Sequence, residues 1–234
     1  MADTLAPRAI IGVMTPAMNT VFQPELELLR PAGVTNQMQR FRLGGDAISD
    51  DLFEEAEKLM DCGPRAIVIG LTTDAGPGGV AKLAGRSAAL AEHLRLPVFN
   101  ASEADHAALR ALGATKVGVV TPFGEEINQN VRANVEQAGF RVAAIVGTEA
   151  PSLPAICETP LEDIRKVVHQ VAEADCDAIL QVGTALPLVG MIGALEQETG
   201  KTIIACNVAV YWQTLRAIGI SDPVTGYGRL LAEF

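Results

Sequence analysis

The sequence is short of the residues that usually announce a chemistry. It holds three histidines and four cysteines in 234 residues. Cys62, Cys157, Cys176 and Cys206 form no C-x-x-C pair and no Cys/His cluster, so no metal or dithiol motif is present. That usage fits free thiols in a reducing, cytoplasmic setting. Basic residues number 18 against 28 acidic ones, a formal charge of −10. Such a balance argues against nucleic acid or an anionic membrane as partner, and leaves any anionic substrate to local donors. The apolar runs are too short to span a bilayer. Residues 1–7 read as a polar lead, so no secretion signal is expected. There is no P-loop, G-x-G-x-x-G, H-E-x-x-H or G-x-S-x-G. His93, His106 and His169 fall in helical stretches and read as surface or core residues rather than ligands.

What is present is an alternation of short β-branched runs with helical patterns, in a chain long enough for one large or two small domains. Residues 66–69, Ala-Ile-Val-Ile, read as a buried strand. They run straight into Gly70-Leu71-Thr72-Thr73-Asp74-Ala75-Gly76. Two hydroxyls and a carboxylate therefore sit where a parallel strand ends, the place where open α/β sheets bind ligands. A second strand over 178–182 ends the same way, in Gly183-Thr184-Ala185.

Further strands are expected over 10–14, 34–43, 97–99, 117–120, 141–146 and 202–205, each followed by helical spacing or a loop. Ser49 reads as the cap of one helix, and Ser102 with Asp105 as a capping pair for another. Thr159 and Pro160 read as the N-cap and first position of a third, after a proline-rich loop over 150–160.

The pattern repeats. Ile11-Gly12-Val13-Met14-Thr15-Pro16 is echoed by Val117-Gly118-Val119-Val120-Thr121-Pro122. Ala108-Leu109-Arg110-Ala111-Leu112-Gly113 is echoed by Thr214-Leu215-Arg216-Ala217-Ile218-Gly219. The echoes fall in the same order, so the expectation is a duplicated α/β fold: two pseudo-symmetric lobes, each a mostly parallel four-stranded sheet flanked by helices. The first lobe is expected over 1–114 plus 221–234, and the second over 115–220. Strand ends from both lobes then line one cleft, with Leu71 and Gly183 as symmetry mates.

The residues Pro16-Ala17-Met18-Asn19-Thr20, Val119-Val120-Thr121-Pro122, Leu195-Glu196-x-x-x-Gly200-Lys201, Asn207 with Trp212, and Gly226-Tyr227-Gly228-Arg229-Leu230 carry a resemblance. In that order they resemble the aspartate/glutamate racemase superfamily, in the branch of maleate cis-trans isomerases and arylmalonate decarboxylases. The resemblance implies Rossmann-like lobes, one active site between them, no cofactor and a small-molecule carboxylate or carbonyl substrate.

One departure matters. The family's cysteines lie in two mirrored turns, which here align with Leu71-Thr72-Thr73-Asp74-Ala75 and Gly183-Thr184-Ala185. Leucine and glycine cannot act as thiolates. What remains is an anion cradle: Asn19, Thr72, Thr73 and Thr184 as donors. Met18, Leu71, Phe123 and Gly183 form the rest of the pocket, and Cys206 and Asn207 lie after the last strand. Asp74 and Glu103 stand where the family has other residues, and are the candidates to move protons.

The resulting expectation is a cofactor-independent lyase, decarboxylase-like, or a hydrolase working through a stabilised enediolate or oxyanion. Two alternatives stay open: a silent small-carboxylate binding protein, and an isomerase or racemase that recruits Cys206. A homo-oligomer is left open by the sequence; neither nucleic acid nor membrane is expected.

Overall fold

The computed structural model describes residues 3–43, 52–72 and 78–234. The first lobe runs β1 (Ala9–Pro16), α1 (Phe22–Leu28), β2 (Val34–Phe41), α2 (Leu52–Met60), β3 (Ala66–Ile69), α3 (Gly79–Leu94), β4 (Val98–Asn100) and α4 (Ala101–Ala111). The second runs β5 (Lys116–Thr121), α5 (Glu125–Gln137), β6 (Arg141–Gly147), α6 (Leu153–Ile156), α7 (Leu161–Ala172), β7 (Ala178–Gln181), α8 (Ile192–Thr199), β8 (Thr202–Ala205) and α9 (Cys206–Ala217). A short α10 (Arg229–Glu233) ends the chain. The sheets are all-parallel, in the orders β2-β1-β3-β4 and β6-β5-β7-β8. The duplicated order read from the sequence echoes is therefore the observed one.

Alternation along the strands decides which core each side chain joins. In β1, Ile11 and Val13 face the core shared between the lobes, while Met14 faces α2 and α3 with Ile67 and Ile69 of β3. The shared core also takes Phe22 and Leu26 of α1, Ala101 and Ala104 of α4, and Val208 and Tyr211 of α9. Helices α4 and α9 pack on each other, and each reaches the other lobe: α4 touches β8, and α9 touches β3 and β4. At the C-terminus, Asp222 pairs with Arg8 of the first lobe, while α10 packs on α9 and β8. Among the described residues no helix is long and apolar enough to cross a membrane.

Three local expectations are corrected. Helix α4 starts two residues earlier than Ser102 implies: Asn100 is its cap, accepting from the Glu103 N–H at 3.1 Å, and Glu103 accepts in return from Asn100 Nδ2. Ser102 and Asp105 lie buried inside the helix. The loop over 150–160 contains α6, capped by Ser152. Pro160 is the cap position of α7, and the Thr159 hydroxyl turns back to the Ile156 carbonyl. Ser49 lies outside the described residues.

Candidate active site

The C-terminal ends of both sheets' inner strands meet. Asn19, just past β1, has its side-chain oxygen tied to the N–H groups of Val21 and Phe22 at 2.9 Å, capping α1. This fixes its amide nitrogen, which donates to Thr184 Oγ1 at 3.2 Å. Thr184, past β7, donates its hydroxyl to the Gly70 carbonyl at 2.9 Å, past β3. Three strand ends from two lobes are thus laced by one buried hydroxyl. An amide nitrogen carries two hydrogens, so Asn19 keeps one for a ligand. The Thr184 hydroxyl directs its proton at the Gly70 carbonyl while its side chain lines the cavity described next. Close approach is what Gly70 permits: a Cβ there would lie 2.6 Å from the Phe22 ring.

Above this lacing lies a cavity of about 110 Å³. It brings together Met18, Asn19, Leu71, Thr72, Phe123, Gly183 and Thr184 from the sequence candidates. Its remaining walls are Pro16, Leu43, Ile127, Leu153, Ile156 and Ala185. One end is polar, around Asn19, Thr72 and Thr184; the rest is greasy. None of these lining residues is ionisable. Thr73 and Asp74 lie outside the described residues. Glu103 is exposed, engaged in its helix cap and absent from the cavity wall, so the structure does not place it to move a proton.

Gly183 has φ +107, a backbone region strained for any side chain. A Cβ there would meet Pro122 Cδ at 2.8 Å and Cγ at 2.9 Å. Gln181 holds this turn, its side-chain amide donating to the Gly183 carbonyl at 2.8 Å, which explains a polar residue in an apolar strand. Cys206 lies behind the turn, fully buried and outside the cavity lining. Burial, then the nearby Asp105 and Glu25 carboxyls, push its thiol well above the usual range, against partial relief from the Gly183 and Asn207 N–H groups. Its thiol hydrogen is directed at Asn207 Oδ1 (3.6 Å) or Gln181 Oε1 (3.8 Å). That environment disfavours the thiolate.

Sequence reasoning missed Glu25 and Asp105. Glu25 is buried between the lobes: Oε1 accepts from the N–H groups of Leu188 and Val189, each at 2.9 Å. Its Oε2 accepts from Asn207 Nδ2 at 2.6 Å, and the same nitrogen donates to the Thr184 carbonyl at 3.1 Å. Glu25 therefore pins the segment that carries Thr184. Burial raises its carboxyl from 4.5 to about 7, although all three donors pull the other way. Asp105 is buried with no partner for Oδ1 among the described residues, and burial alone raises its carboxyl well above the ordinary range. A signal existed for both. Glu25 lies on the apolar stripe Phe22, Leu26, Leu29, and Asp105 on the stripe Ala101, Ala104, Ala108. Among the described residues no group of three His, Cys, Asp or Glu is arranged to hold a metal.

Known proteins share this fold. A family model described as arylmalonate decarboxylase matches residues 15–231. The arylmalonate decarboxylase of Bordetella bronchiseptica is 27% identical over 196 residues, covering 81% of this chain and 80% of its own. A liganded double mutant of arylmalonate decarboxylase superposes with TM-score 0.85 at 22% identity, covering 97% of this chain and all of that one. A cysteine-to-serine variant of Nocardia farcinica maleate cis-trans isomerase, with a covalently bound succinylcysteine intermediate, superposes with TM-score 0.80 at 21% identity, covering 97% and 99%. The chain belongs to the arylmalonate decarboxylase family.

Proposed function

We propose that the protein is a cofactor-independent, decarboxylase-like lyase acting on a small dicarboxylate with an apolar substituent. The observation that carries this reading is the two-ended cavity: hydroxyl and amide donors at one end, and an uncharged apolar wall elsewhere. One carboxylate binds at the Asn19 and Thr72 end, where uncharged donors hold it. The second carboxylate then faces Leu71, Phe123 and Ile156. Apolar surroundings disfavour a carboxylate relative to neutral carbon dioxide, so breaking the carbon–carbon bond relieves an unfavourable desolvation. The electron pair left behind spreads into the first carboxylate as an enediolate, which the same donors stabilise. One proton then completes the product, and Asp74, two residues after Thr72, is the sequence's candidate to deliver it.

A maleate-isomerase-like reaction through a cysteine adduct fits less well. The two aligned positions are Leu71 and Gly183, and Cys206 is walled off behind Gly183. A second reading keeps one observation in its favour: with no ionisable group on the described cavity wall, the site suits binding without turnover. Incubation with phenylmalonate, alkylmalonates and maleate in deuterium oxide separates the readings. Carbon dioxide release with one deuterium in the product is expected from the malonates. Binding without release would establish the silent protein, and conversion of maleate to fumarate would overturn the decarboxylase reading.

A further inference from the structure

Behind the cavity lies a second, smaller space of about 20 Å³, and Thr72 lines both. That volume admits one water molecule when polar groups surround it. Ser102, Asp105, His106 and Asn134 supply them. Ser102 Oγ and Asp105 Oδ1 are buried here without a hydrogen-bond partner among the described residues. Unpaired buried polar atoms are costly and call for a partner. They lie one turn apart on α4, and the Asp105 carboxylate is near enough to Cys206 to help push its thiol up.

The geometry points to a one-water proton relay behind Thr72, in which Asp105 gives the proton that completes the product and Ser102 holds the water. The inference rests on the decarboxylase reading and moves the origin of the proton to the far side of the Thr72 wall. When carbon dioxide has left, the Asp105 carboxylic acid donates to the water. The water donates to the Thr72 hydroxyl, and the Thr72 proton passes to the carbanion carbon, so each oxygen ends with the number of protons it began with except Asp105. Asp105 is left as a buried carboxylate, and recovers one proton from solvent through the same chamber. His106 stands at its edge, half-buried and held neutral at pH 7 because burial, with a lesser push from Arg110, lowers its imidazole to about 4. Asp105 touches no substrate in this scheme; it acts through Thr72.

Two measurements test it. Infrared difference spectra of wild type minus Asp105→Asn report whether Asp105 is a protonated carboxyl at pH 7 to 8, and whether its band shifts promptly in deuterium oxide and again when phenylmalonate binds. A protonated, exchangeable, ligand-sensitive band is expected. An ionised Asp105, or a band that neither exchanges nor responds, overturns the relay. The second is turnover: Asp105→Asn is expected to lower kcat on phenylmalonate by about 10²-fold with KM within twofold, the scale of a lost general acid. Ser102→Ala, the milder variant, is expected to lower kcat and to enlarge the solvent isotope effect while melting like wild type. Wild-type kcat and isotope effect in both variants overturn the relay even if the band is present. A wild type that binds phenylmalonate and shifts the band but releases no carbon dioxide would overturn the decarboxylase reading and the protonation step that rests on it, whereas carbon dioxide release at wild-type rate in both variants would overturn the relay and leave that reading standing.

Discussion

The Thr184 hydroxyl of the second lobe donates to the Gly70 carbonyl of the first at 2.9 Å while accepting from Asn19 at 3.2 Å. One side chain thus holds both lobes at the floor of the cleft. Thr184→Val keeps the shape and removes both bonds, leaving a buried carbonyl and a buried amide hydrogen unpaired. Each orphaned group costs about 1–3 kcal/mol. The expected result is a lower urea midpoint at unchanged m-value, with weaker phenylmalonate binding. Thr184→Ser, which restores the hydroxyl, is expected to recover most of both. Equal stability of the valine variant and wild type would show that the lacing contributes nothing.

Glu25 makes stability depend on pH, and the sign follows from its environment. Its folded-state carboxyl titrates at about 7, above the ordinary 4.5, because burial outweighs its three donors. Between those values the folded chain holds a proton that the unfolded chain has released. This contribution is therefore fully present below about 4.5 and is lost as pH rises through 7, by on the order of 3 kcal/mol. Melting across pH 5 to 8 is expected to show that fall. Glu25→Gln is expected to remove Glu25's share of that fall, since an amide has no proton to lose, and to leave the share of Asp105, whose carboxyl burial also raises. A variant retaining the full slope would assign the dependence to another group.

Much of the fold was legible because β-branched runs and sequence echoes are written in single residues. Ile11-Gly12-Val13 and Val117-Gly118-Val119 place equivalent central strands in the two sheets. The caps were harder. Asn100-x-x-Glu103 and Ser102-x-x-Asp105 both fit a capping pattern two residues apart. Only the packing of α4 against α9 and β8 decides that the second pair goes inside. The same limit hid Glu25 and Asp105. An acid on an amphipathic helix reads as solvated unless it is known which face meets the other lobe. Helix α6 spans only Leu153–Ile156, too short to show a period. The lining residues past β1, β3 and β7 were legible because strand ends are where such sheets open. Leu43, Ile127, Leu153 and Ile156 were not, since they reach the cavity from the end of β2, from α5 and from α6.

Ile156 sets the size of the apolar end. It is 4% exposed and lines the cavity beside Leu153. Ile156→Ala removes three carbons from that wall, at a stability cost of about 2 kcal/mol, the low end for a large-to-small change because the side chain already borders a void. The ratio of kcat/KM for a malonate with a bulkier substituent to one with a smaller is expected to rise about tenfold, as one or two methylenes discriminate in an apolar pocket. An unchanged ratio would place the substituent elsewhere in the cavity.

The two positions that the family resemblance sets against its cysteines, Leu71 and Gly183, are not equivalent in this backbone. Leu71 is half-buried on the cavity wall, and its φ is in the ordinary negative range. Leu71→Cys is therefore expected to fold with a stability near wild type and to present a thiol that reacts with maleimide, slowed by phenylmalonate. Gly183→Cys meets two obstacles: φ +107, and Pro122 atoms at 2.8 and 2.9 Å from the new Cβ. Holding a non-glycine residue in such a conformation costs about 1–3 kcal/mol, and the ring contact adds to it. The expected outcome is a clear drop in melting temperature for Gly183→Cys against little change for Leu71→Cys. Equal melting of the two would mean that the Gly183 turn relaxes freely. The second thiol would then be absent by substitution alone, rather than because the Gln181-braced turn has no room for it.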